Sequence, residues 1–190
     1  MLKDFEKDIE QCLAALQSHG TILYPTDTVW GLGCDATDEF AVQKIIQIKN
    51  RPAHKSFVVL VDDAERLQQY VDEVAETVIQ HLSSVKKPTT IIYPNAKGLA
   101  ESAVATDFSV AIRICKDEFC KELIQQFDKP ILSTSANKSG EPAPRIFKEI
   151  DNEIIRSVDY VVHYRQDDEK IATLSSIVKF DDGKMIVVRA

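Results

Sequence analysis

The amino-acid sequence predicts a three-layer α/β fold built on a twisted mixed β-sheet flanked by helices, and three observations carry that prediction. Stretches of helical period alternate with short apolar runs of strand length, the order that lays helices against a sheet. Hairpin-like pairs interrupt the alternation, which favours a mixed sheet over a strictly parallel one. One run, Phe57-Val58-Val59-Leu60-Val61, is apolar throughout, as a central strand covered on both faces is expected to be.

The elements follow in order. Residues 3–18 place Phe5, Ile9, Cys12, Leu13 and Leu16 on one helical face, with Gly20 as a stop. Thr21-Ile22-Leu23-Tyr24 reads as a buried strand that Pro25 ends, because proline has no N–H to give to a ladder. Asp38 is a candidate N-cap for a helix whose apolar face is Ala41, Val42, Ile45 and Ile46, and Pro52 disfavours its continuation through Arg51. After the central strand come two short helical stretches, 64–70 and 73–82, and a strand at 89–93. A loop-like segment, 95–107, leads to a strand at 109–114. Asp117 can cap a helix running to Phe127, and a short strand at 131–134 ends in a polar loop. Residues 145–158 are partly helical and 160–163 form a strand. The end, 176–180 and 185–189 around Asp181-Asp182-Gly183-Lys184, is a hairpin.

Composition bounds the function. The 190 residues predict one domain, 1–190, and 44% hydrophobic content suffices for its core. No run of eighteen apolar residues occurs and the mixed-charge start, Met1–Glu6, has no signal-peptide core, so a cytoplasmic protein without membrane contact is expected. Cys12, Cys34, Cys115 and Cys120 show no zinc spacing, and the four histidines are scattered. These cysteines are expected to be small buried apolar residues, and no protein-built metal cage is expected. A net charge of −7 argues against broad phosphate-backbone binding, so any RNA contact should be local and weak.

The stretch Tyr24-Pro25-Thr26-Asp27-Thr28-Val29-Trp30-Gly31-Leu32-Gly33-Cys34-Asp35-Ala36 sits after the first strand. Its hydroxyls, carboxylate and glycines suit a loop holding a small polar substrate, since open α/β sheets bind ligands at strand C-termini. A plain connecting loop with glycines in left-handed turns would have the same composition. Lys49, Arg51 and Lys55 place three cations within seven residues, able to neutralise a triphosphate or simply to decorate a solvated helix end. Arg113, between Ile112 and Ile114, needs a ligand or a structural carboxylate if buried. Ser133-Thr134-Ser135-Ala136-Asn137-Lys138-Ser139-Gly140 could fold into an anion-accepting nest or a polar turn before Pro142 and Pro144.

As ordered strings, the Tyr24–Ala36 stretch, the Lys-x-Arg-Pro core at Lys49 and the Thr134–Gly140 segment resemble the YrdC/Sua5 family, the threonylcarbamoyl-adenylate synthases of tRNA modification. The resemblance runs in one register along essentially the whole chain. It implies a twisted mixed sheet with one deep cavity, and a reaction of L-threonine, bicarbonate and ATP giving threonylcarbamoyl-AMP and pyrophosphate. The product would serve the tRNA threonylcarbamoyl-transfer machinery acting at adenosine 37, with weak tRNA or double-stranded RNA contact. Carried over by position, Thr28, Arg113, Ser133 and Ser175 would meet threonine. Lys49, Arg51, Lys55, Ser109, Ser135, Asn137, Ala143 and Arg189 would meet ATP. Mg²⁺ would be held mainly by the phosphates. No nucleophilic triad or histidine base lies near any motif, so the catalytic group is unassigned.

The sequence also departs from the family. Lys86-Lys87-Pro88-Thr89-Thr90 replaces the usual Pro-Gly-Pro-x-Thr string, and Leu60 stands where some members carry a substrate-contacting histidine. The length matches the short, YrdC-like form. Two other readings remain open: an RNA-binding or ribosome-associated factor, and a paralogue that adenylates another carbamoyl acceptor.

Overall fold

The computed structural model describes residues 4–51, 57–181 and 184–190. Its nine strands are β1 (Ile22–Tyr24), β2 (Gly31–Asp35), β3 (Val58–Val61), β4 (Thr89–Tyr93), β5 (Val110–Ile114), β6 (Ile131–Ser135), β7 (Tyr160–Val161), β8 (Ser176–Asp181) and β9 (Lys184–Arg189). They form one sheet in the order β7-β1-β2-β6-β3-β5-β4-β8-β9. The all-apolar strand β3 is fifth of the nine, paired parallel to β5 and antiparallel to β6. The sheet is therefore mixed, as the interrupted alternation predicts.

Among the described residues six helices flank it: α1 (Glu6–Gln17), α2 (Glu39–Lys49), α3 (Ala64–Tyr70), α4 (Glu76–Ser84), α5 (Glu118–Phe127) and α6 (Asn152–Ser157). The expected caps form. The Asp38 carboxylate accepts from the Phe40 N–H and that of Asp117 from the Cys120 N–H, each satisfying a donor that the first helical turn leaves open. Helix α5 buries Phe119, Leu123, Ile124 and Phe127, and Phe119 meets Phe5 edge to face at 5.5 Å, joining α5 to the start of α1. Fully burying one such side chain stabilises the fold by about 1.5–3 kcal/mol, so this packing holds α1 and α5 together. All four cysteines are buried free thiols, as expected.

One element overturns the sequence reading. Gly31–Asp35 is not loop but strand β2, antiparallel to β1 on one side and β6 on the other. Its glycines serve close approach across the ladder rather than left-handed turns. A Cβ on Gly33 would stand 2.7 Å from Tyr24 Cε1 and 3.0 Å from the Leu132 carbonyl oxygen. The strand at 160–163 shortens to two residues, and 145–158 supplies a single 3₁₀ turn, Phe147–Glu149, before α6. The terminal hairpin forms as β8 and β9, with residues 182–183 of its turn outside the described residues.

Candidate active site

The β1–β2 connection, the C-terminal end of β6, the middle of β5 and the β8–β9 pair converge on a cavity of about 230 Å³. Thr26 organises the first wall. Its Oγ1 donates to the Val29 carbonyl at 2.8 Å, accepts from the Thr28 N–H at 3.0 Å and lies 3.0 Å from Thr28 Oγ1. The turn is thereby closed on itself, and the Thr28 hydroxyl is held on the cavity surface.

Arg113 rises from β5, opposite Leu60 of β3, and is buried. Its Nη2 lies 3.0 Å from Asp27 Oδ1 and donates to Thr28 Oγ1 at 3.3 Å, while its Nε is buried without a hydrogen-bond partner among the described residues. This arginine therefore pairs with a protein carboxylate and also lines the cavity. Ser133 and Ser135 lie on β6, in register with Gly33 and Gly31 of β2. Gly31 leaves the space in which the Ser133 hydroxyl sits, since a Cβ there would come within 3.0 Å of it.

The far wall comes from the C-terminal hairpin. Ser175 Oγ lies 2.9 Å from Thr90 Oγ1. Arg189 donates to the Ser175 carbonyl from Nε at 3.1 Å and from Nη2 at 2.9 Å, and from Nη2 to Ser175 Oγ at 3.2 Å. These bonds tie down Arg189, the last residue of the exposed edge strand β9. Burial, then the neighbouring Arg113 charge, lowers the Arg189 pKa. Arg51 completes the wall, its guanidinium 4.6 Å from the Phe57 ring centre and its pKa lowered by burial. Three guanidinium groups and a set of neutral hydroxyls therefore face the cavity. Inside a chain of net charge −7 this is a local positive field that favours anions and binds carboxylate or phosphate oxygens in pairs.

The structure gathers Thr28, Arg51, Arg113, Ser133, Ser135, Ser175 and Arg189 around one cavity. Other expected residues sit elsewhere. Lys49 is fully buried behind the wall, its Nζ donating to the Ser135 and Asn137 carbonyls at 2.5 Å each. Burial, with Arg51 adding to it and Glu141 opposing, draws its pKa down to about 7. Asn137 folds its own loop, accepting from Ser135 Oγ and donating to the Lys138 and Glu141 carbonyls. Ser109 donates to Asp107, and neither Ser109 nor Ala143 lines the cavity. Lys55 lies outside the described residues.

Sequence reasoning missed Thr26, Asp27 and Trp30 as individual contributors, although all three stand in the stretch it singled out. Trp30 lines the cavity and packs on Phe147 at 4.8 Å between ring centres. Among the described residues no group of three or more His, Cys, Asp or Glu side chains is placed to hold a metal ion. None of the helices among those residues is long and apolar enough to cross a membrane.

Comparison with known proteins gives a consistent picture. The Sua5/YciO/YrdC sequence family, described as "Telomere recombination", matches residues 14–190. A threonylcarbamoyl-AMP synthase of Psychromonas ingrahamii is 40% identical over 140 residues, 71% of this chain and 72% of that protein. One from Photobacterium profundum is 33% identical over 150 residues, 77% of this chain and 81% of that protein. Among solved structures, P. abyssi Sua5 complexed with L-threonine has the same fold, with a TM-score of 0.85 at 23% identity over 97% of this chain and 54% of that one.

Proposed function

We propose that this chain, which belongs to the Sua5/YciO/YrdC family, is a threonylcarbamoyl-AMP synthase working as a single catalytic domain of residues 1–190. The observation that carries the reading is the cavity itself, where three arginines and several hydroxyls face one another and, among the described residues, no carboxylate lines the wall. Such a site suits two anions brought together, an amino-acid carboxylate and a nucleoside triphosphate.

The reaction is a nucleotidyl transfer. The threonine amine and bicarbonate condense to a carbamate with loss of water. A carbamate oxygen then attacks the α-phosphorus of ATP, and the bond to pyrophosphate breaks. Arg113, with the Thr28, Ser133 and Ser175 hydroxyls, holds threonine. Arg51 and Arg189 face the phosphates, and Ser135 and the loop closed by Asn137 shape the nucleotide side. The rate comes from orienting the carbamate in line with the leaving group and from fixed positive charge around the phosphates. Among the described residues no carboxylate lines the cavity, and a Mg²⁺ ion would travel with the triphosphate. The product would pass to the tRNA threonylcarbamoyl-transfer machinery in the cytoplasm, and broad tRNA binding is not needed for the step itself.

Two variants test the division of labour through the rate of pyrophosphate release. Arg113→Ala should raise the threonine requirement by a factor corresponding to about 2–4 kcal/mol while changing ATP dependence little. Arg51→Ala should do the opposite. Equal loss toward both substrates in either variant would contradict the assignment.

A further inference from the structure

We infer that Asp27 is a positioning residue for Arg113: it fixes the guanidinium so that one edge remains for the substrate carboxylate. This rests on the proposed reading, in which Arg113 receives threonine. The two contacts of Arg113 with the β1–β2 turn, to Asp27 and Thr28, both fall on Nη2. Nε is left buried without an acceptor, a state that is unfavourable until a ligand supplies one. The described residues thus occupy one nitrogen and leave Nε buried and unsatisfied, in a side chain that lines the cavity.

Asp27 suits that task because it is itself immobilised. Its side chain is 9% exposed and is absent from the cavity wall. The turn that carries it is closed by Thr26, and the Cys120 thiol donates to the Pro25 carbonyl at 3.3 Å. Oδ2 accepts from the Lys116 N–H at 3.5 Å, a long contact, and Oδ1, which has no hydrogen-bond partner among the described residues, faces Arg113 Nη2 as an ion pair at 3.0 Å. A counter-charge behind Arg113 is also required by its surroundings. The Arg113 charge acts unfavourably on Arg189, and Asp27 sets an opposite charge against Arg113.

The test measures threonine and ATP dependence separately in Asp27→Ala, Asp27→Asn and Asp27→Glu, alone and with Arg113→Ala. Asp27→Ala should raise the threonine KM about tenfold or more, equivalent to about 1.4 kcal/mol. The ATP KM should stay within about twofold, and Asp27→Glu should recover most of the loss, because it restores the charge. In the Arg113→Ala background Asp27→Ala should add nothing, since its effect acts through that arginine. If Asp27→Ala does not fold, the isosteric Asp27→Asn is read by thermal shift, and should lose threonine-induced stabilisation while keeping that from ATP. Equal effects on both substrates, an additive double mutant or an unchanged threonine shift would overturn the inference. A wild-type protein indifferent to threonine would overturn the functional reading and this inference with it. A threonine-dependent wild type with indifferent Asp27 variants would overturn the inference alone.

Discussion

Lys49 shows how far a residue's type can differ from its use. In the sequence it is one of three clustered cations, and charge alone cannot say which way a side chain points. In the fold its ammonium turns inward and holds two carbonyls of the Ser135–Asn137 segment, while Ser139 N–H donates to the Lys49 carbonyl at 2.9 Å. Lys49 therefore acts on the cavity indirectly, through the loop that presents Ser135. Lys49→Met would leave two buried carbonyls bare and should destabilise the fold by roughly 2–5 kcal/mol. The pH dependence has a defined sign. The pKa falls from 10.5 in the unfolded chain to about 7 in the fold, so between those values the unfolded state binds more protons. The stability difference between wild type and Lys49→Met should accordingly rise with pH across that window and flatten below about 7. Denaturant midpoints measured from pH 6 to 10 read this directly, and a difference that falls with rising pH would contradict it. A neutral amine still donates two hydrogens, so the loop stays pinned at the alkaline end.

At the scale of elements, most strands and helices were legible because their signals are local. The apolar run of β3, the Asp38 and Asp117 caps and the paired runs of the terminal hairpin each state their own conformation. Strand β2 was not legible. Glycine lowers strand propensity, and Gly31 and Gly33 earn their places only through Tyr24, Ser133 and Leu132, which approach from neighbouring strands. Gly33→Ala should therefore cost about 1–3 kcal/mol by overpacking, because the added methyl would meet the Tyr24 ring and the Leu132 carbonyl. A thermal unfolding midpoint unchanged by the substitution would mean that the β1–β2 contact is looser than the structure has it. The same limit explains Asp27: its neighbour Thr28 was visible as part of a motif, but its partner Arg113 is distant in sequence and reaches it only once β5 is in the sheet.

At the scale of the whole molecule, an acidic chain concentrates guanidinium charge in one cavity. The sheet order makes this possible by bringing residues from both ends of the sequence, Thr28 and Arg189, around the same cavity as Arg113. Net charge read from the sequence argued only against broad nucleic-acid binding; the concentration of positive charge became visible with the fold. The central claim is that this cavity joins threonine, bicarbonate and ATP. The most direct test incubates the protein with all three, using ¹³C-labelled bicarbonate, and identifies the nucleotide product by mass spectrometry. The account predicts one labelled carbon in a threonylcarbamoyl-AMP product that is absent when threonine is omitted. An adenylate without the label, or a product that forms equally well without threonine, would contradict it.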